Sequence, residues 1–419
     1  MSLLRRLDPA AGEGVPRRLI WMLGLGAFGL AWSLTTVAAY LPPLLHRFTS
    51  SQTLIGGILG AEGAFALALP LVVGPLSDRV RTPLGRRRPW MLVALPPLAL
   101  GIAAVGLTPS LWTTVVAVGV FFLAYYLYEP PYRSLYPDRL GRHVMGRSQS
   151  VQNLLRGAAL GLALVLGGVL FGIWHALPFL LAAAVVAVSG SVLVAWIREP
   201  DEGGGGDERT LRQSLEAPFA ILRERRDVRR FLLANTCWEF TFAGMRTFVV
   251  LYVTQGLGEP VEVSSAVLGA VAGGYLVAAV ASGRLGDRFG LAKTILGAAV
   301  VYGIGLCAGV VPQAWHWSFL GLIFFVAIAA GTVMTLAWGL LFKLMPESDH
   351  ASVSGLATVT KGLGLVLGPV LVGLVIDRSS SFFEATHGYQ AMWPAVGIPV
   401  LLSIPAAVWL IGAEARAAA

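Results

Sequence analysis

The chain of 419 residues is 56% hydrophobic and only 13% charged, and its formal net charge is +8 at pH 7. Soluble domains carry about 25% charged residues, so the composition excludes an ordinary soluble protein. Several apolar runs reach the ~20 residues that a helix needs to cross a bilayer, and the short alternating segments of a membrane barrel do not occur. The chain is therefore predicted to be an all-α, polytopic membrane protein embedded in a lipid bilayer.

Twelve transmembrane helices are predicted, in two six-helix pseudo-repeats. Residues 1–198 form the N-terminal half and residues 231–419 the C-terminal half. Residues 199–230 are predicted to be a cytoplasmic linker with a surface helix, because four consecutive glycines flanked by acids indicate a flexible segment. The predicted helices span 19–41, 51–73, 89–108, 111–132, 149–172, 176–197, 231–255, 263–282, 292–311, 316–342, 350–376 and 390–412.

The lysines and arginines lie on one side of this predicted topology. They crowd the N-terminal tail, the central linker and alternate loops, whereas the remaining loops hold only Arg47 and Arg378. An excess of cations marks the cytoplasmic side. We therefore expect a multi-pass protein of the cytoplasmic (inner) membrane with both termini cytoplasmic. The positive charge is a topology signal, so no nucleic-acid partner is expected, and we expect a monomer.

A charged motif occurs twice, about half the chain apart. Residues 74–88 contain Asp78 and end in three arginines, and residues 283–293 contain Asp287. The spacing resembles the G-x-L-x-D-R-x-G-R-R/K loop between helices 2 and 3 of the major facilitator superfamily. The resemblance implies a secondary transporter in which two six-helix halves rock about a site at the membrane midplane.

In that superfamily the motif is implied to be a conformational latch at the inner face. Asp78 could accept backbone N–H bonds at the start of helix 11, near Ser352, where the helix dipole favours a negative charge. A simple cytoplasmic anchor remains the alternative. The residues assigned to the latch are Asp78, Arg79, Arg86, Arg87, Arg88, Asp287 and Arg288.

Two stretches resemble one branch of the superfamily, the sucrose porters. Residues 129–138 are similar to the P-x-R-A-L-x-x-D signature that ends helix 4, and residues 77–79 with 85–89 are similar to the same branch. Those relatives couple disaccharide uptake to protons, which implies proton-coupled sugar symport. One departure is that Phe122 stands where the porters carry an aspartate on helix 4.

Ionisable residues within the predicted helices mark a polar interior. Helices 3, 6, 9 and 12 carry none in their interiors, and the resemblance to the superfamily implies that these same helices support the bundle from the lipid side. A charge at membrane depth is costly and faces a bundle interior or a water-filled cavity. We predict that at least one of Glu62, Glu129 and Glu239 carries a coupled proton. For Glu129 a local ion pair with Arg133, four residues later, is an equally good interpretation.

The cations and one aromatic residue of the same region are candidates for substrate binding. We expect Lys361 to hold substrate and Arg156 to neutralise a buried acid. Glu239 and Arg246 lie two helical turns apart, so each needs another partner. The substrate-binding candidates are Lys361, Arg246, Trp238, Arg133 and Arg156.

These residues lead to two functional hypotheses. The first is proton-coupled symport of a sugar or similar small polar solute by alternating access, and the alternative is proton-driven efflux of amphipathic drugs or lipids. A passive facilitator also remains open if the buried carboxyls are structural. An enzyme is disfavoured, because the sequence has no nucleophile–base arrangement and no His/Cys cluster with metal-ligand spacing. The expected partners are a small-molecule substrate and protons, and we expect no cofactor or metal.

Overall fold

The computed structural model describes residues 17–79, 82–140, 142–197, 225–344 and 350–418. Six helices form the N-terminal half. They are α1 (Arg17–His46), α2 (Gln52–Arg79), α3 (Arg88–Leu107), α4 (Leu111–Arg139), α5 (Arg142–Ile173) and α6 (Leu177–Trp196).

The C-terminal half repeats this order. Its α7 continues into one π-helical turn at Tyr252–Gly256, and its last segment is divided in two. The helices are α7 (Arg226–Leu251), α8 (Val261–Phe289), α9 (Leu291–Ala308), α10 (Phe319–Lys343), α11 (His350–Arg378), α12 (Met392–Leu402) and α13 (Ile404–Ala418).

The predicted twelve-segment, all-helical architecture is confirmed. Within the described ranges, 11 segments are long and apolar enough to cross a membrane, with α12 and α13 counted as one. The remaining segment, α7, has 26 residues but carries Asn235, Glu239 and Arg246 on its inward faces. Its polarity follows from its place in the centre of the bundle, where it contacts α11, α12 and α1 and little lipid.

Several helices extend beyond the limits that hydropathy predicts. The sequence analysis placed residues 74–79 in a loop, but they continue α2, so Asp78 and Arg79 are helical. In the same way, α4 runs past Pro130 and Pro131 to Arg139. Hydropathy marks where the chain leaves the hydrocarbon, whereas a helix ends only where its backbone hydrogen bonds end, which explains the difference.

The predicted linker lies largely outside the described residues. The structure does not describe residues 198–224, which include most of the predicted surface helix. Helix α7 begins at Arg226, so residues 226–230 belong to a transmembrane helix rather than to the linker.

The two halves meet mainly along α2 with α11 and along α5 with α8. By contrast, α3, α6 and α9 pack within their own half and present exposed apolar side chains such as Val93, Val188 and Ile304. This arrangement is the one expected from their uncharged interiors. Helices α2, α5, α8 and α11, which carry the interface, are thereby placed to line any passage between the halves.

The halves converge at one end of the bundle. We call this the outer end; it holds the start of α2 and the end of α11. The opposite, inner end holds the α2–α3 loop and the start of α11. A Cβ on Gly63 of α2 would lie 2.6 Å from the carbonyl oxygen of Gly362 and 2.7 Å from the amide nitrogen of Val366. Nearer the inner end, Gly74 of α2 has no such neighbour within 4 Å.

The contact between α5 and α8 is likewise tight near the outer end and open nearer the inner end. Gly168 of α5 is packed directly against Ser265 of α8, whereas Gly157, about three turns nearer the inner end, has open space where a Cβ would lie. Both interfaces are therefore closed at the outer end, whereas toward the inner end no described residue lies within 4 Å of a Cβ built on Gly74 or Gly157.

A side chain at Gly63 is expected to prevent this outer closure. Gly63→Val would drive a branched side chain into the α11 backbone, which cannot move aside as a side chain can. In a Ser265→Cys background, Gly63→Val should speed labelling of the introduced thiol by a membrane-impermeant maleimide about tenfold. Gly57→Val is the matched control, because Gly57 has no neighbour within 4 Å. Equal labelling of the two variants would contradict the role given to this contact.

Candidate functional site

An ion pair between Glu62 of α2 and Arg246 of α7 joins the two halves at the centre of the bundle. The Glu62 side chain is 4% exposed and that of Arg246 is 20% exposed. The Tyr126 hydroxyl of α4 lies 3.4 Å from Glu62 Oε1 and donates to it. Glu62 is thus paired, and Arg246 has the separate partner that its spacing from Glu239 required.

Glu129 and Arg133 form a local ion pair on α4. Their charged atoms are 2.7 Å apart, and the Glu129 side chain is 16% exposed against 53% for Arg133. Both residues belong to one helix, so this pair links no two elements. In this conformation, Glu129 and Arg133 therefore form a local pair within one helix.

Glu239 of α7 is buried at 5% exposure, and no described residue pairs with it. It lies where α7 and α11 are in backbone contact, because a Cβ on Gly364 would be 2.6 Å from Glu239 Cβ. The preceding Trp238 is fully buried, and its indole N–H donates to Ser403 Oγ over 2.9 Å. Trp238, expected to bind substrate, is packed inside the C-terminal half, so its ring is not available to a ligand in this conformation.

Arg156 of α5 and Lys361 of α11 are the exposed cations of the centre. Neither makes an ion pair with any residue in the described ranges, although both act electrostatically on Glu129. Arg156 acts electrostatically on the buried Glu129, and its role in neutralising a buried acid stays a prediction. Arg156 and Lys361 thus lie on pseudo-equivalent helices, one in each half, and both side chains are exposed.

The outer closure is capped by Asp377, which the sequence analysis did not select. This carboxylate at the end of α11 accepts the backbone N–H of Gln52 over 2.9 Å and that of Thr53 over 2.8 Å. It also accepts the hydroxyls of Ser51 and Thr53, over 3.2 and 2.7 Å. A residue of one half thus serves as the N-cap of a helix in the other half, where the helix dipole favours an anion.

At the inner end, the described contacts of Arg86, Arg87 and Arg88 include three elements of the N-terminal half. Arg87 donates to Asp138 Oδ2 over 3.1 Å and to Ser77 Oγ over 2.6 Å, and Arg86 lies 3.7 Å from the same carboxylate. Arg88 donates to the carbonyl of Val194 over 3.0 Å. The loop therefore fastens α3 to α4 and α6.

The proposed latch is only partly described. The side chains of Asp78 and Arg79, and the residues around the start of α11, lie outside those described. In the second copy of the motif, Asp287 and Arg288 are exposed at the end of α8. Their exposure accompanies the separation of the halves at the inner end.

Glu414 of α13 connects neighbouring helices of the C-terminal half at the inner end. It accepts the backbone N–H groups of Leu291 and Ala292 over 3.1 and 2.8 Å and pairs with Lys343 at 2.8 Å. This acid caps α9 and ties it to α10 and α13. Each half is thereby internally braced at its inner end.

Comparisons with known proteins show which family has this architecture. A family model described as the Major Facilitator Superfamily matches residues 21–274 and 248–419. The multi-drug resistance efflux pump PmrA homolog of Lactococcus lactis is 22% identical over 387 residues, which are 89% of this chain and 91% of that protein. An uncharacterized MFS-type transporter of Mycobacterium tuberculosis is 30% identical over 128 residues, 30% of this chain. The match spans only 18% of that relative's length.

Solved structures share the fold at low identity. A variant of the nucleoside transporter NupG superposes with a TM-score of 0.77 at 14% identity, over 94% of this chain and 99% of that one. A bacterial homolog of the human lysosomal transporter Spinster, inward-facing and unoccupied, has a TM-score of 0.77 at 15% identity, over 96% and 99% of the two chains. At these identities the likeness shows the fold alone.

Proposed function

This chain belongs to the Major Facilitator Superfamily, and we propose that this secondary transporter couples the uptake of a sugar or similar small polar solute to protons. The family is not enzymatic, and the protein is a multi-pass membrane protein. The observation that carries the proposal is the Glu62–Arg246 ion pair, which joins the halves across the centre. Protonation of Glu62 would remove the pair and so let a proton alter the contact between the halves.

The difference between the outer and inner ends of the bundle supports transport by alternating access. The outer end is closed by the α2–α11 and α5–α8 contacts and by Asp377, while the inner end is separated. Loss of the central pair and of the Asp377 cap would open the outer end. The Asp78 loop would then close the inner end, as the latch hypothesis requires. Under the predicted topology, with both termini in the cytoplasm, this conformation is open to the cytoplasm.

Substrate would bind between the halves, next to Lys361 and Arg156. Both cations are exposed there, and no described residue pairs with them, so a ligand's hydroxyl, carboxylate or phosphate oxygens could supply the missing acceptors. Arg246 and Arg133 are engaged by acids in this conformation. Each guanidinium has five N–H donors, so the donors that its acid does not use could still contact substrate.

Lys361→Ala is expected to weaken ligand binding about tenfold or more without unfolding the protein. Charge-assisted hydrogen bonds contribute about 1.5–3 kcal/mol. Lys361 makes no ion pair with a residue that the structure describes, so its removal breaks no direct contact among them. A thermal-shift screen of purified protein against disaccharides, organic anions and amphipathic cations would supply the ligand, and its dissociation constant would then be measured in both proteins. Lys293→Ala, an exposed lysine on α9, is the control. An unchanged dissociation constant would remove Lys361 from the site.

Efflux of amphipathic drugs or lipids is the second candidate function. It is favoured by the likeness to the multi-drug resistance efflux pump homolog, which extends over 89% of this chain. The same screen separates the two. Stabilisation by sugars with no response to amphipathic compounds would favour uptake of a polar solute, and the reverse result would favour efflux.

A further inference from the structure

Seven charged side chains of the described residues form one electrostatically connected group at the centre of the bundle. Two ion pairs, Glu62–Arg246 and Glu129–Arg133, belong to it. With every group ionised, four cations and three acids leave an excess of one positive charge, which is costly at membrane depth. The group consists of Arg133, Arg156, Arg246, Lys361, Glu62, Glu129 and Glu239.

The positive charge is concentrated around Glu129. Three cations act on this one carboxylate: Arg133 of the same helix, Arg156 of α5 and Lys361 of α11. Lys361 also acts on Glu239 of α7, so it lies within electrostatic reach of acids in both halves. These cations come from three helices and from both halves of the protein. They therefore surround a position that both halves share.

The cations are the accessible part of this group. Arg156 and Lys361 are exposed, and the Arg133 side chain is 53% exposed, whereas that of Glu129 is only 16% exposed. Beside Arg156, no described residue lies within 4 Å of a Cβ built on Gly157, so there is open space next to this arginine. A solute that enters the centre therefore meets positive charge before it meets the acids.

The aromatic side chains among these charges are withdrawn from the solute. Tyr125 and Tyr126 of α4 are 5% and 6% exposed, and Trp238 is fully buried. Their ring faces are therefore not available to stack on the apolar face of a neutral sugar in this conformation. The exposed chemistry of the centre consists of guanidinium and ammonium donors, which suit an oxyanion.

Resting on the proposed transport function, we infer that the solute is an anion whose carboxylate or phosphate oxygens bind Arg156 of one half and Lys361 of the other. The planar guanidinium can donate two parallel hydrogen bonds to either oxyanion, and the ammonium adds a point charge. One acidic group held by both halves also offsets the excess positive charge. A sugar acid or a sugar phosphate is a small polar solute of this kind.

Four compounds that share one sugar ring test the charge preference. Galactose, galacturonate, galactose 6-phosphate and galactosamine would be titrated by calorimetry into the purified full chain in lipid nanodiscs. Charge-assisted contacts to two cations should give both anions millimolar or lower dissociation constants. We expect the anions to bind at least about tenfold more tightly than galactose, and galactosamine not to bind. The difference between the two anions distinguishes a carboxylate site from a phosphate site.

Charge-conserving variants separate charge from packing. Arg156→Gln and Lys361→Gln should each weaken binding of the anions about tenfold. Arg156→Lys and Lys361→Arg keep the charge and should retain most of the affinity. Lys293→Gln removes an exposed lysine on α9 and is the matched control, which should leave anion binding unchanged.

Proton uptake during anion binding distinguishes this inference from the proposed coupling. A proton on Glu62 raises the excess positive charge, so anion and proton should each favour binding of the other. In weakly buffered solution, galacturonate or galactose 6-phosphate should therefore cause proton uptake in the wild type and none in Glu62→Gln. Anion binding without proton uptake would contradict the coupling and leave the anion site standing. Proton-driven uptake of galactose, with no response to the anions, would leave the coupling standing and contradict the anion site.

Three results of the titrations would overturn the inference. Binding of galactose as tight as that of its acids would show that the site does not select charge. No binding of either anion at millimolar concentration would show that the cations do not form a site. Anion binding that survives both Arg156→Gln and Lys361→Gln would show that the anion binds elsewhere.

Discussion

Replacing Glu62 by glutamine is expected to shift the protein toward the outer-open state and to remove the pH dependence of that shift. In the wild type, Glu62 and Arg246 attract each other across the halves only while Glu62 is ionised. A proton bound to the carboxyl cancels the attraction, so under the proposed coupling proton uptake favours outer opening. Glutamine cannot ionise, and the variant should resemble the acid form of the wild type at every pH.

The expected size of this effect is large. Removing one partner from a buried ion pair costs about 3–5 kcal/mol, because the other charge is left uncompensated. Some of that cost is recovered, since Arg246 is 20% exposed and the glutamine amide can still accept a hydrogen bond. A remainder of about 1.4 kcal/mol would change the open-to-closed ratio tenfold, so we expect a change of at least that size.

Spin labels on cysteines at positions 47 and 382 would measure the opening. Arg47 lies on the turn after α1 and Phe382 on the turn after α11, and both are exposed at the outer end of opposite halves. Distance distributions measured over a series of pH values should change in the wild type but not in Glu62→Gln. Glu129→Gln is the matched control, because its partner Arg133 is on the same helix. If the control loses the pH response and Glu62→Gln keeps it, the coupled proton belongs to Glu129.

Asp377→Asn is expected to weaken outer closure by a similar amount through a different contact. The carboxylate accepts four hydrogen bonds, from the backbone of Gln52 and Thr53 and from the hydroxyls of Ser51 and Thr53. An amide keeps one acceptor oxygen but loses the charge that suits a helix N-terminus, which contributes up to ~2 kcal/mol in partly buried sites. The open-to-closed ratio should therefore rise about ten- to thirtyfold.

Labelling of a cysteine introduced at position 265 by impermeant maleimide would report this change. Ser265 is 6% exposed against α5 when the outer end is closed. Labelling at this position should become faster in Asp377→Asn and remain slow in Glu384→Gln, which removes a carboxylate at the same end without touching α2. Unchanged labelling in Asp377→Asn, with normal labelling of a surface cysteine, would mean that the cap does not hold the halves together.

The fold was predictable because it rests on composition and repetition. Apolar runs of membrane length, loop cations and a motif repeated at Asp78 and Asp287 are all local features of the sequence. Helix ends were less predictable. The inner ends of α2, α4 and α8 continue where the sequence turns polar, because a helix ends where its backbone hydrogen bonds end and not where the chain leaves the hydrocarbon.

The candidate site was predictable as a set of residues but not as a set of contacts. Membrane depth alone marks Glu62, Glu239 and Arg246 as unusual. Their partners depend on how the halves pack. Glu62 and Arg246 are far apart in the sequence, and nothing in the sequence indicates that they form a pair. Asp377 was missed because it follows the last apolar turn of a helix, where an acid is ordinary. The available signal was the Ser50-Ser51-Gln52-Thr53 run at the start of α2, which marks a helix N-terminus, where an anion is favoured.

The most direct test of alternating access is to measure both ends in one protein. In a Cys237→Ala and Cys307→Ala background, one pair of spin labels at positions 47 and 382 reports the outer end. A second pair, at Leu76 of α2 and Val359 of α11, reports the inner end, where both residues are exposed. As acid or Asp377→Asn lengthens the outer distance, the inner distance should shorten in the same samples. An outer distance that lengthens while the inner one stays fixed, or two distances that never change, would contradict the account.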